Sequence, residues 1–145
     1  VDTNLKGLLF VTRALLPGMV DRGAGHIVNI GSIAGRETYA GGSVYCATKS
    51  AVLAFSRALR LDLLGKVVRV SCVDPGFVHT EFSEVRFGGD RERAAAVYRG
   101  MIPLGAEDVA DAVVYCITRP PHVNVSELLL MPLDQAAVGQ IHRRE

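Results

Sequence analysis

The stretch His26-Ile27-Val28-Asn29-Ile30-Gly31-Ser32 decides how the chain is read. A short run rich in β-branched and apolar residues stops at a glycine, as in a strand covered on both faces within a parallel sheet. Gly23-Ala24-Gly25 precedes it and closes a helix predicted from Val1 to about Arg22. Leu5, Leu8, Leu9, Thr12, Leu15, Leu16 and Met19 form the apolar stripe of that helix, and Pro17 bends its last turns. After the strand, Ser32 to Ser43 is rich in glycine and small residues and reads as a loop. A second helix is expected over Val44 to Leu64, with Gly65 as its terminator. Val67 to Val73 then repeats the strand pattern and is stopped by Asp74-Pro75-Gly76. Phe77 to Gly100 is polar and irregular, with a charged helical turn near Arg91 to Tyr98. It is long for a connector and is a candidate substrate-covering loop. Glu107 to Thr118 is a third helix, Glu127 to Met131 a last strand, and Pro132 begins a tail. Strand and helix alternate throughout, so the fold class is α/β with three strands in a parallel sheet. With no internal repeat and no linker, residues 1–145 read as a single unit.

Whole-chain properties narrow the function. The 145 residues are 49% hydrophobic with a net charge of +1, and no apolar run approaches the roughly 20 residues of a membrane span. Basic residues are scattered, apart from His142-Arg143-Arg144, and form no stripe for a nucleic acid. The start, Val-Asp-Thr-Asn-Leu-Lys, lacks the pattern of a secretory signal. Cys46, Cys72 and Cys116 are odd in number and share no C-x-x-C spacing, which fits reduced thiols in the cytoplasm. Cys46 is expected to be a small packed residue, Cys72 and Cys116 core. The histidines have no ligand-like spacing, so no metal site is proposed. His79 is read as an ordinary loop residue, with contact to substrate or phosphate as the alternative.

Chemistry enters with Y-C-A-T-K, Tyr45 to Lys49. Residues four apart share a helix face, so the phenol and the ammonium can serve one site. A phenol titrates near 10, and bringing it close to neutrality takes roughly 4 kcal/mol of differential interaction with a nearby cation in a partly dry site. Taken alone, the pair is better explained as an exposed lysine beside a half-buried tyrosine. Three features elsewhere converge on it. Ser32 lies thirteen residues earlier, just past a strand end, where open parallel sheets handle ligands. Asn4 is a polar residue among apolar neighbours on the first helix. The second strand ends in D-P-G-F-V-H-T, where Pro75-Gly76 permits close approach to a flat ligand and Thr80 supplies a hydroxyl.

N-L-K-G, N-I-G-S-x-A-G, Y-x-x-x-K and P-G-x-V-x-T, in this order, resemble the catalytic half of the short-chain dehydrogenases/reductases. The resemblance implies that Asn4, Ser32, Tyr45 and Lys49 form a catalytic tetrad. Tyr45 would give or take the proton, and Lys49 would lower its pKa and hold the nicotinamide ribose. Ser32 would polarise the substrate oxygen, and Asn4 would position a water joining Lys49 to solvent. Pro75, Gly76, Val78 and Thr80 would contact the nicotinamide end of the cofactor. Within the family, L-P-G-M-V, Y-A-G-G-x-V-Y, T-E-F-S-x-V-R-F and P-x-H-V-N-x-x-x-L-x-x-M-P are similar to the NADP-dependent 3-hydroxy acid (serine or allo-threonine) dehydrogenases. That implies NADP, with NAD not excluded, and a small-molecule substrate. Glu81 to Phe87 is then expected to be part of the substrate loop, with Arg86 a candidate for the substrate carboxylate; an exposed arginine in a solvated loop is an equal alternative. In relatives the first two helices pack across a dimer axis, so a homodimer or homotetramer is implied.

The family's Gly-rich turn, T-G-x-x-x-G-x-G, has no counterpart, since G-A-G-H-I-V runs straight into a strand. The expectation is therefore the C-terminal part of a Rossmann-like, doubly wound sheet, a single partial domain over 1–145 without its N-terminal half. Two other readings stay open: a catalytically silent fragment serving as an oligomerisation or interaction module, and an unrelated α/β enzyme whose Tyr45 and Lys49 are structural.

Overall fold

The structure, a computed structural model, describes residues 1–145. Its centre is β2 (Val68–Pro75), flanked in parallel by β1 (Gly25–Ile30) and β3 (Glu127–Leu130). The registers are Ile27 opposite Val70 and Val73 opposite Leu128. Being central, β2 is buried along nearly its whole length, and its alternating side chains sort to two layers. Val68 and Val70 pack with Leu59 of α2 (Ser43–Asp62) and with Leu63 just past its end, joined by Leu16, Met19 and Val20 of α1 (Leu8–Asp21). Cys72 continues that side against Val52 and Leu53. Val73 faces the opposite way, onto Ala112 and Cys116 of α5 (Ala106–Ile117). Full burial of Val52, Val70 and Val73 stabilises the fold by about 1.5–3 kcal/mol each. On the α5 side Arg69 donates to the carbonyls of Ile117, Arg119 and Val123, which lie at and beyond the end of that helix. The α/β class and the three-stranded parallel sheet are as the sequence indicated, and Cys46, Cys72 and Cys116 are free and buried.

Several boundaries differ, each for a physical reason. The first helix opens as a π-helical turn over Asp2–Gly7, with Lys6 N–H donating to the Val1 carbonyl, before α1 proper. Its apolar stripe is divided: Leu16 and Met19 face the core, whereas Leu15 is 55% and Leu9 37% exposed. Asp74-Pro75 extends β2 rather than stopping it. Cys72 donates to Ser126, just before β3, and Gly76 to Leu130, the last residue of β3, so Pro75 falls on the other side, past the point where β1 has turned away. The 77–100 segment contains two short helices, α3 (Phe82–Arg86) and α4 (Arg91–Val97), the second capped by Asp90 accepting from Arg93 N–H at 3.0 Å.

The expected tail after Pro132 instead forms a small hairpin, β4 (Gln135–Ala137) with β5 (Gln140–Ile141). Long-range bonds hold it. Asp134 accepts from Ile102 N–H at 2.9 Å, and Val138 N–H donates to Glu37 at 2.8 Å. Beyond it, Arg143 donates to the carbonyls of Val97 and Arg99, and Arg144 pairs with Asp134 at 2.9 Å. No helix is long and apolar enough to cross a membrane.

Candidate active site

Parallel pairing delivers the carboxyl ends of β1 and β2 to one edge of the sheet, and the site is built there. Beyond Ile30 the chain must turn against Asp74. A Cβ at Gly31 would lie 1.8 Å from Asp74 Oδ1, so only glycine fits, and Gly31 N–H donates to the Val73 carbonyl at 2.8 Å. Ser32 then caps a 3₁₀ turn over Ile33–Gly35, its Oγ accepting from Ala34 N–H at 3.1 Å. A Cβ at Gly35 would come within 2.7 Å of the Lys49 carbonyl, so this turn lies directly on α2. Ser32 is thereby fixed beside the face of α2 that carries Tyr45 and Lys49.

Charge locks the arrangement from beneath. Asp74 is fully buried and accepts from Arg36 Nε at 2.9 Å and Nη2 at 2.6 Å. Arg36 Nη2 also reaches Glu127 at 2.6 Å, and Glu127 receives Arg57 Nε at 2.7 Å and Nη2 at 2.9 Å. The alternating chain Asp74–Arg36–Glu127–Arg57 thus ties the Ser32 turn, β2, β3 and α2 together. Its two guanidiniums hold the Glu127 carboxyl down at about 2.

A cavity of about 440 Å³ opens above this floor. Ser32, Tyr45, Lys49, Pro75, Gly76, Val78, Thr80 and Arg86 all line it. Burial pushes the Tyr45 phenol above its ordinary value, while the Ser32 hydroxyl and the charge of Arg86 pull it back. Burial depresses the Lys49 ammonium, and its Nζ donates to the Ile30 carbonyl at 2.9 Å. That nitrogen sits 5.9 Å from the centre of the Tyr45 ring. In this arrangement the groups that favour the phenolate are therefore Ser32 and Arg86, with Lys49 anchored to the end of β1.

Asn4 does not reach this cavity. It lines a neighbouring groove of about 460 Å³ between α1 and the open edge of β1, where its Nδ2 donates to Thr48 Oγ1 at 3.3 Å. Lys49 borders both spaces and is their link. At Gly76 the close approach is to Gln135, whose Oε1 would be 2.2 Å from a Cβ there and which accepts from Phe77 N–H at 2.9 Å. The wall opposite Tyr45 is aromatic: Phe82 lies 5.6 Å away, and Ser83 is held by the Tyr98 hydroxyl at 2.7 Å. Tyr98 in turn donates to the Val78 carbonyl at 2.9 Å and packs edge-on against His79, 5.0 Å between ring centres. Tyr39, Tyr98 and Gln135 escaped the reading of the sequence as site residues. For Tyr39 the adjoining Gly41-Gly42 is the available signal, since its ring fills the space of a Cβ at Gly42; for Gln135 no local signal exists.

Comparison with known proteins sharpens this picture. The family model described as short chain dehydrogenase matches residues 1–89. The NADP-dependent 3-hydroxy acid dehydrogenase YdfG of Escherichia coli (strain K12) is 52% identical, over 99% of this chain and 59% of the relative. This chain therefore spans about three-fifths of that relative's length. Among solved structures, the closed form of a serine dehydrogenase complexed with NADP+ superposes with a TM-score of 0.93 at 52% identity, covering 99% of this chain and 58% of the other. Serine dehydrogenase from Escherichia coli gives 0.75 at 46% identity, covering 92% and 51%.

Proposed function

The chain belongs to the short-chain dehydrogenase family, and from that premise we propose that it carries the catalytic centre of an NADP-dependent oxidoreductase. Its substrate is a small alcohol or carbonyl compound, a 3-hydroxy acid by likeness to the Escherichia coli relative. One observation carries the reading: Ser32, Tyr45 and Lys49 converge in a single cavity at the carboxyl ends of two parallel strands.

Each group has work suited to its surroundings. Ser32, fixed by its own turn, donates to the substrate oxygen that Tyr45 also reaches. Tyr45 hands a proton to that oxygen during reduction and takes it back during oxidation. A phenol kept mainly protonated by burial is a proton donor, and a substrate oxygen that gains negative charge strengthens the bond from it. Lys49 presents its ammonium to the same space and to the Asn4 groove, so a proton lost from Tyr45 can be replenished from the far side through Asn4. The lining offered by Pro75, Gly76, Val78 and Thr80 fits the nicotinamide end of NADP, with Lys49 on its ribose. When bound, that group gives or accepts the hydride. Phe82 stands beside Tyr45 at the wall of the cavity, where it would shield the reacting carbon from water once substrate is bound.

Three buried, unpaired thiols fit a cytoplasmic setting. The apolar residues exposed on α1, with Phe10 68% and Val11 59% exposed, favour a homo-oligomer. They also favour the second reading, an interaction module without turnover. The test is NADPH-dependent turnover of the chain, and of a chimera carrying the unaligned part of the Escherichia coli relative, each with and without Tyr45→Phe. About a thousandfold loss of kcat with an unchanged melting curve is expected. Full turnover by the Phe variant would overturn the reading, and no turnover by either unaltered protein would favour the module.

A further inference from the structure

Arg86 is the feature of the cavity that the scheme above leaves least explained. It lies on α3, whose residues Phe82 and Arg86 are one turn apart and therefore share a face. Both touch Tyr45: the Phe82 ring at 5.6 Å, the Arg86 guanidinium at 5.8 Å from the ring centre. On the other side the guanidinium meets Tyr39 at 5.6 Å. Tyr39 is itself held against the turn at Gly41-Gly42, because its ring occupies the space a Cβ at Gly42 would need and Gly41 adopts φ +77. Arg86 thus stands between two rings, one belonging to the proposed proton donor and one immobilised by a glycine turn. It has no carboxylate partner and makes no hydrogen bond within the chain, although Arg36, Arg57 and Arg144 are all ion-paired. A cation gripped through aromatic faces keeps its N–H donors for a ligand, and a guanidinium offers them in the fork that a carboxylate accepts.

We infer that Tyr39 is a positioning residue that holds Arg86 as the receptor for the substrate's carboxylate, so that the Tyr39–Arg86 pair sets the preference for hydroxy acids over neutral alcohols. This deepens the proposed function and rests on its placing the substrate beside Tyr45. Without the Tyr39 ring, Arg86 sits at the end of a five-residue helix with only Tyr45 and its neighbour Phe87 to restrain it. The cation remains but its place is lost, so discrimination falls while the charge of the site is unchanged.

The test compares binding of 3-hydroxypropanoate and 1,3-propanediol to the full chain, followed by amide chemical shifts in titrations. The unaltered chain is expected to bind the acid at least about tenfold more tightly than the diol. Arg86→Gln and Tyr39→Leu should each abolish that difference, and Tyr39→Phe, which keeps the ring, should retain it. Equal binding of acid and diol by the unaltered chain overturns the inference, as does a preference that survives in Arg86→Gln or in Tyr39→Leu. Because the readout needs no turnover, selective binding of the acid by a protein that transfers no hydride would sink the proposed reaction and leave this inference standing.

Discussion

The floor and the wall of the cavity are built by opposite means. The floor, where β1 and β2 end, is held by fully buried Asp74, by the four-membered charge chain and by glycines into which no Cβ fits. The wall, α3 and α4, buries little beyond Ser83 and Ala94 and is held by ring contacts and a few hydroxyl bonds. Over-determined geometry suits groups that must meet a reacting carbon within tenths of an ångström. A lightly held wall suits groups that admit one substrate and exclude another, because it opens at low cost. The difference assigns the proposed chemistry to the floor and selection to the wall.

Four substitutions test that contrast. The largest effect is expected from Arg36→Met, which strands a fully buried carboxylate; loss of about 3–5 kcal/mol in urea unfolding is the expected outcome. A loss below about 1 kcal/mol would mean the charge chain is not what fixes the floor. Gly31→Ala comes next, at about 1–3 kcal/mol, because the new methyl group and Asp74 Oδ1 claim the same space. Tyr98→Phe removes the bonds to Ser83 and to the Val78 carbonyl, and about 1–2 kcal/mol is expected. The wall should carry that loss locally, as faster amide exchange over residues 82–97 with β2 unaffected. Exchange that rises equally in β2 would show floor and wall to be one cooperative unit.

The smallest effect is a pH dependence. Glu127 has its folded value lowered to about 2, so its stabilisation is present above the ordinary carboxylate range and is lost as pH falls toward 2. Both of its arginine partners are partly solvated, so the gain is under about 1 kcal/mol. Glu127→Gln should narrow the gap between unfolding midpoints at pH 5 and pH 3. An unchanged gap would assign the acid sensitivity to other carboxylates.

The same contrast explains what could be read without a structure. The floor is local: an apolar run, a glycine, a serine, then Tyr45 and Lys49 one helical turn apart, each detectable from its neighbours in the chain. The wall is not. Phe82 and Arg86 gain meaning only through Tyr39 and Tyr45, some forty residues earlier. Gln135 and Asp134 looked like tail because their partners, Phe77 and Ile102, lie more than thirty residues away, and a hairpin of three and two residues has no periodicity to detect. Pro75 misled for a related reason, since a proline ends a strand only where its missing N–H would have been used.

The bonds from Arg143 to the carbonyls of Val97 and Arg99 carry a practical consequence. They put the last residues in mechanical contact with the closing turn of α4, and hence with the segment that would admit substrate. A label or substitution placed at Arg143 would therefore disturb that turn as well as its own surroundings.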